Sequence, residues 1–249
     1  MSRTFAKNSR WNSSSWIDLN EETPPHEEAP DDLLFVWACG FELAIGLAGL
    51  LLAWLLGVDA RAYLGRIDKL AWKSVAIDLG IGALASIPML VAISLLMKIR
   101  HESIDALKRL SDAPTMKALL SLSPAELLTV SICAGIGEEL AFRGCLLPWL
   151  TAVQDATGQI DNPFQVGDSF SVAVPGLLAA AVLVSSIGFG LLHPITKLYV
   201  FIASLMGVYF AALMIATDSL LVPIVAHAVY DAAQFLIAKR EIEAEEAAA

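Results

Sequence analysis

Charged side chains are scarce in this sequence, and its cysteines are too few to form a framework. Only 17% of the 249 residues are charged and 57% are hydrophobic, whereas soluble domains carry about 25% charge and about 45–50% apolar residues. Three cysteines, an odd number without metal-ligand spacing, argue against a disulfide scaffold. There is no basic patch with interleaved aromatic residues, so nothing in the sequence suggests a nucleic-acid partner.

Long apolar runs dominate instead, and mean hydropathy is +0.65. Six segments reach the length of about 20 residues that a membrane-spanning helix needs. We therefore predict an all-α polytopic membrane protein with about six transmembrane helices and additional interfacial amphipathic helices, its surroundings being the lipid bilayer. The predicted spans are 33–57, 74–97, 123–153, 173–193, 195–217 and 220–238.

Local signals between the spans predict how several of them begin and bend. Residues 58–72 and 100–122 mix basic and apolar side chains in the manner of helices that lie on a membrane surface. Ser123-Pro124-Ala125-Glu126 predicts a capping box at the start of the third span. Pro148 predicts a bend in that span, and Ser219 predicts the N-cap of the last one.

Lysine and arginine are unevenly distributed among the loops. Most basic residues near span ends lie on the side that holds both chain ends and the connection at 98–122. Cytoplasmic loops carry the excess of these residues. We expect a multi-pass protein with both termini in the cytoplasm, in a bacterial inner membrane or an organellar membrane.

Ionisable side chains interrupt the apolar spans at a few positions. Each costs roughly 2.5–3.5 kcal/mol near the bilayer centre on insertion scales, so a cluster of them indicates a functional site. Glu42, in the first span, is interpreted differently, as a residue that faces a partner helix or the polar edge. The cluster is Glu138, Glu139, Arg143, His193, His227 and Asp231.

Helical spacing arranges these residues in pairs. Residues four apart lie on one helix face, whereas adjacent residues differ by about 100°. Glu138 can therefore point away from the face that carries Glu139. The pairs are Glu139 with Arg143, Phe189 with His193, and His227 with Asp231.

Three kinds of chemistry fit this set. A buried glutamate near histidines suits activation of water, with a histidine stabilising an oxyanion. The same groups could form a polar network that only joins helices. Zinc is the competing cofactor, with Glu138, His193 and His227 as ligands, although the two-histidine motif of helical zinc proteases is absent and we predict no cofactor.

Three motifs in order resemble a known family. They are Glu138-Glu139-x-x-x-Arg143, Phe189-x-x-x-His193, and the run from Ser219 through His227 to Asp231. Together they resemble the CAAX prenyl protease type II family, also called the CAAX protease and bacteriocin-processing (CPBP) family. The resemblance covers about 125–235.

The resemblance implies a glutamate-dependent intramembrane endopeptidase that acts on a membrane-anchored or lipidated protein or peptide. By that analogy Glu138 activates water held with the help of His193. His227 and Asp231 stabilise the oxyanion, while Glu139 and Arg143 form a supporting pair and Phe189 belongs to the second motif. The family's prenyl proteases carry Asn where this chain has Asp231, and an ionised carboxylate cannot donate a hydrogen bond.

The resemblance also divides the chain. We predict a disordered cytoplasmic tail over 1–32, N-terminal spans and interfacial helices over 33–122, a CPBP-type catalytic core over 123–238, and an acidic C-terminal tail over 239–249. Two other functions compete with proteolysis. One is a non-catalytic membrane scaffold or assembly factor of the same fold. The other is a small-molecule channel or transporter, which the missing inverted repeat disfavours.

Overall fold

The computed structural model describes residues 31–60, 63–64, 71–151, 153–154, 160–161 and 175–248. The regular secondary structure of this part of the chain is helical except for one antiparallel pair of two-residue strands, β1 (Val153–Gln154) and β2 (Ile160–Asp161). The predicted tail up to residue 30 and most of the predicted interfacial helix at 58–72 lie outside the described residues. The helices are α1 (Asp31–Leu55), α2 (Ala71–Leu96), α3 (Glu102–Lys108), α4 (Pro114–Ser121), α5 (Pro124–Glu139), α6 (Leu147–Thr151), α7 (Pro175–Leu191), α8 (Lys197–Thr217) and α9 (Leu221–Ala248).

Several helices are long and apolar enough to cross a membrane. Four helices of the described chain meet this condition by length and composition, namely α1, α2, α8 and α9. A fifth candidate is α4 together with the helix from Pro124 to Thr151, a pair bent by 115°. In α7 the apolar stretch Leu178–Leu191 is shorter. The structure thus confirms an all-α polytopic membrane protein, with four or five candidate spans where the sequence predicted about six.

The last helix continues further than predicted. α9 runs to Ala248, although the sequence predicted a span that ends at residue 238 and a solvated acidic tail. Alanine, glutamate and lysine are strong helix formers, and Lys239 faces Glu243 one turn away at 3.5 Å. The Lys239 ammonium also donates to the Leu120 carbonyl at 2.9 Å, which fastens α9 to α4.

The predicted capping box at the start of α5 is confirmed. The Ser123 hydroxyl accepts from the Glu126 backbone N–H at 3.3 Å, and the Glu126 carboxylate accepts from the Ser123 N–H at 2.8 Å. Pro124 occupies the first helical turn, where its missing N–H costs nothing. These contacts fix where α5 begins and therefore the rotation of the glutamates at its other end.

The third predicted span is irregular, but its irregular turns lie before Pro148 rather than at it. Residues Leu140–Leu146 form π-helical turns between α5 and α6. Proline removes a backbone hydrogen bond and clashes with the preceding turn, so widened turns just before it relieve that clash. Such π-turns are frequent at functional sites.

The turn before α9 also differs from the prediction. Asp218 ends α8 in the left-handed conformation with φ 53°. α9 begins at Leu221, so Leu220 directly precedes it instead of Ser219, whose hydroxyl donates to the Asp78 carboxylate at 2.7 Å. This bond joins α2 to the turn between α8 and α9.

The helices are arranged around α5 and α9. α5 packs against α1 on one side and α9 on another, α2 packs on α9, and α7 and α8 pack together. The π-helical segment continues from α5 and contacts α1, α7 and α8. The end of α5 is therefore surrounded by other helices, which is where the polar residues lie.

α1 and α5 approach each other closely at Gly137. A Cβ on Gly137 would overlap the carbonyl oxygen of Glu42, and a Cβ on Gly46 would lie 2.9 Å from the Gly137 Cα. Small residues allow helix backbones to approach closely in membrane proteins. The backbones of α1 and α5 are therefore in contact at Gly137, the residue directly before Glu138.

We predict that Gly137→Ala separates α1 from α5 and destabilises the protein by about 1–3 kcal/mol, the usual cost of overpacking. The measurement is thermal unfolding of the detergent-solubilised protein. Gly40→Ala in α1 is the matched control, because a Cβ there meets nothing within 4 Å. Equal unfolding temperatures for the two variants would contradict the close approach.

Candidate active site

The structure brings every predicted site residue into one cluster. Glu138 and Glu139 end α5, and Arg143 follows one turn later in the π-helical segment. Phe189 lies near the end of α7, and His193 lies in the turn between α7 and α8. His227 and Asp231 lie on adjacent turns of α9.

Glu138 faces both histidines. Its Oε1 atom lies 3.7 Å from Nε2 of His193, and its Oε2 atom lies 3.9 Å from Nε2 of His227. These separations exceed a direct hydrogen bond, and hydrogen bonds of catalytic groups are often long before substrate binds. One carboxylate thus faces two imidazoles, one from the turn between α7 and α8 and one from α9.

His193 is oriented by its own helix. Its Nδ1 atom lies 2.9 Å from the carbonyl oxygen of Phe189, one turn earlier. Because a carbonyl oxygen only accepts, Nδ1 must carry the hydrogen. Nε2 is then directed towards Glu138. The Phe189 ring packs 5.0 Å from the imidazole, measured between centroids.

His227 is held between two carboxylates. Nδ1 lies 3.0 Å from Oε1 of Glu139, and Nε2 lies 3.3 Å from Oδ2 of Asp231. Its ring stacks on Phe210 with centroids 4.9 Å apart and planes 17° apart. The imidazole is almost fully buried, so both its position and its ring plane are fixed.

Glu139 and Arg143 form a buried ion pair. The Arg143 guanidinium donates to Glu139 Oε1 at 2.9 Å and to the Gly207 carbonyl of α8 at 2.8 Å. Both side chains are completely buried. The guanidinium also packs among three aromatic rings, with its carbon 4.6, 5.3 and 5.8 Å from the centroids of Phe189, Phe210 and Phe142.

The sequence interpretation missed Glu42. Its carboxyl group in α1 interacts electrostatically with Glu138, Asp231, His227 and His193. One of its oxygens is buried without a hydrogen-bond partner in the described chain. A carboxylate in an apolar span was the sequence signal that could have identified Glu42. The resemblance to the CAAX proteases gave no help, because it does not extend to α1.

A zinc site here would consist of Glu138, His193 and His227. Within the described ranges, no three His, Cys, Asp or Glu side chains form a group that could hold a metal ion. The Nε2 atoms of both histidines face the Glu138 carboxylate at 3.7 and 3.9 Å, while their Nδ1 atoms face the Phe189 carbonyl and the Glu139 carboxylate. The hydrolysis proposed below is assigned to these side chains without a metal.

Comparison with known families gives a match to the part of the chain that holds these residues. The family described as type II CAAX prenyl endopeptidase Rce1-like matches residues 120–233. The chain carries an Rce1-like domain. Its matched residues include Glu138, Glu139, Arg143, His193 and the α9 pair. Neither the curated proteins nor the solved structures contain a match.

The Rce1-like domain starts just before α5 and ends within α9. Proteins of the Rce1-like family are intramembrane proteases, which supports a type II CAAX endopeptidase-like function. α1 and α2 precede the matched residues, yet both pack against helices of the Rce1-like domain. Glu42 therefore reaches the site from outside the part of the chain that the family describes.

We predict that Arg143→Leu destabilises the Rce1-like domain by about 3–5 kcal/mol, because it leaves the buried Glu139 carboxylate without its cation. Lys108→Ala, which removes an exposed pair with Asp105 (3.5 Å), should cost about 0.5 kcal/mol or less. Thermal unfolding in detergent measures both variants. A small effect of Arg143→Leu would show that the pair contributes little.

Proposed function

We infer that this protein is a glutamate-dependent intramembrane endopeptidase of the CAAX prenyl protease type. It hydrolyses a peptide bond in a membrane-associated or lipidated protein or peptide. The observation that carries the proposal is the carboxylate of Glu138, whose two oxygens face the Nε2 atoms of His193 and His227. A base beside two imidazoles in an apolar surrounding suits activation of water.

Each residue has a distinct part in the proposed hydrolysis. Glu138 removes a proton from water, and His193 helps to hold that water through Nε2, since its Nδ1 is engaged by the Phe189 carbonyl. The water oxygen attacks the scissile carbonyl carbon. His227 donates from Nε2 to the oxyanion that develops, which is the electrostatic contribution that such sites usually depend on most.

Glu139 and Arg143 support this chemistry by positioning His227. Glu139 accepts from Nδ1 of His227, so the imidazole keeps a hydrogen there and its Nε2 faces the reacting groups. Arg143 neutralises Glu139 and ties it to α8 through the Gly207 carbonyl. Both residues act through His227 and need not touch the substrate.

Asp231 has a restricted part while it is ionised. A carboxylate accepts hydrogen bonds but donates none, and its Oδ2 lies 3.3 Å from the nitrogen that should face the oxyanion. Asp231 therefore orients and charges His227 in this proposal. His227 supplies the donated hydrogen bond.

We predict that Glu138→Gln lowers cleavage of a prenylated peptide with a C-terminal CAAX motif by about 1,000-fold or more, because the base is removed. The assay uses purified protein in liposomes and chromatographic detection of the released tripeptide. Glu102→Gln, on the exposed surface of α3, is the matched control and should retain activity.

His227→Ala provides the second arm of that experiment. Loss of cleavage in both Glu138→Gln and His227→Ala supports the protease. Normal biological function in cells that carry either variant would instead support the non-catalytic scaffold of the same fold.

We predict that Asp231→Asn preserves or raises activity, because an amide can donate to the oxyanion and no longer competes for Nε2 of His227. The measurement is kcat for the same peptide. Asp231→Leu, which keeps a similar volume without polar atoms, should be less active than Asp231→Asn. Complete loss in Asp231→Asn would show that the carboxylate itself is required.

A further inference from the structure

α1 brings a carboxyl group to the site from outside the Rce1-like domain. The Glu42 carbonyl lies against the Cα atom of Gly137, the residue directly before Glu138. This contact places the Cα atom of Glu42 beside the end of α5 that carries the proposed base. The neighbouring residue Leu43 is exposed on the outside of the helix bundle.

Glu42 is half-buried, and one oxygen of its carboxyl group is enclosed and unpaired among the described residues. Its Oε2 atom and the Oε2 atom of Glu138 are both enclosed without hydrogen-bond partners among the described residues. The charges of Glu138 and Asp231 both act on the Glu42 carboxyl group. Leaving a buried polar atom unpaired costs about 1–3 kcal/mol, so an unpaired carboxyl oxygen here requires a functional explanation.

The charges of the site require at least one carboxyl group to keep its proton. Glu139 and Arg143 neutralise each other, which leaves three carboxyl groups facing two imidazoles: Glu42, Glu138 and Asp231 against His193 and His227. Even with both imidazoles protonated, three ionised carboxylates would leave one excess negative charge. An uncompensated charge in an apolar interior is expensive, and one carboxyl group that keeps its proton removes it.

Peptide hydrolysis needs a proton donor besides the base, because an amine leaves poorly as an anion. His193 has committed its Nδ1 hydrogen to the Phe189 carbonyl. His227 has its two nitrogens at Glu139 and Asp231 and donates to the oxyanion in the proposed mechanism. Neither histidine is free for the leaving group.

We propose that Glu42 is a further catalytic residue, the carboxylic acid that gives its proton to the leaving amine. The assignment rests on the proposed function, in which Glu138 is the base. Glu42 and Glu138 then divide the acid and base steps between α1 and α5.

The step is balanced by these two carboxyl groups. Glu138 takes a proton from water as the water oxygen bonds to the carbonyl carbon and the carbonyl electron pair moves onto oxygen. The intermediate re-forms the carbonyl and breaks the C–N bond, and the nitrogen takes the proton from Glu42. Proton transfer from Glu138 to Glu42 then restores the starting state, so the reaction consumes only water and peptide.

A comparison of leaving groups tests the assignment. One substrate is the prenylated CAAX peptide, whose amine must be protonated to leave. The other is the nitrophenyl ester of the same prenylated cysteine peptide, whose nitrophenolate leaves as an anion. Glu42→Gln should lower the amide rate by about 100-fold and change the ester rate by about threefold or less. Retained ester hydrolysis also shows that the variant is folded.

Four further variants complete the test. Glu138→Gln should lose both activities, Leu43→Ala should keep both, and Glu42→Asp should recover part of the amide rate. Equal loss of both activities in Glu42→Gln, or no loss, overturns the assignment. The assignment is also overturned if Tyr199→Phe, and not Glu42→Gln, selectively lowers the amide rate. The Tyr199 phenol is the alternative donor because it also interacts with Glu138 and Asp231. If the wild type cleaves neither substrate, or Glu138→Gln cleaves both, the proposed function fails first.

Discussion

The arrangement depends on one carboxylate oxygen, Oε1 of Glu139. It accepts from Arg143 at 2.9 Å and lies 3.0 Å from Nδ1 of His227. Through Arg143 it is linked to the Gly207 carbonyl, so α5, α8 and α9 meet at a single buried atom. An anion in such a place is tolerable only because two donors converge on it. The position of His227 relative to Glu138 follows from this atom.

Much of the site could be predicted from helix geometry. Glu139 and Arg143 share a helix face because they are four residues apart, and the structure pairs them directly. The rotation of about 100° between adjacent residues correctly separated the directions of Glu138 and Glu139. The capping box at Ser123 was equally predictable, because both of its hydrogen bonds are local. The convergence of the helices on one site was expected from the cost of isolated ionisable groups in apolar spans and from the resemblance to the CAAX proteases.

The remaining features depend on contacts between distant parts of the chain. Nothing local in α1 shows that the Glu42 carbonyl would touch Gly137, since that approach depends on how two helices pack. The bond from Arg143 to the Gly207 carbonyl is likewise a tertiary contact to a backbone atom. The position of His193 depends on the end of α7 at Leu191, two residues before it. The turn from α7 into α8 brings the imidazole to the level of Glu138.

The order of the helices along the chain has a consequence for biosynthesis. The pair of Glu139 and Arg143 lies within one helical segment and can form as soon as that segment enters the membrane. His227, by contrast, belongs to the last helix, and chains are synthesised from the N-terminus. A nascent chain would therefore hold a neutralised glutamate–arginine pair but lack His227, the proposed oxyanion donor, until α9 has been synthesised. If the proposed hydrolysis is correct, this order keeps the chain inert towards its membrane neighbours until α9 joins α5.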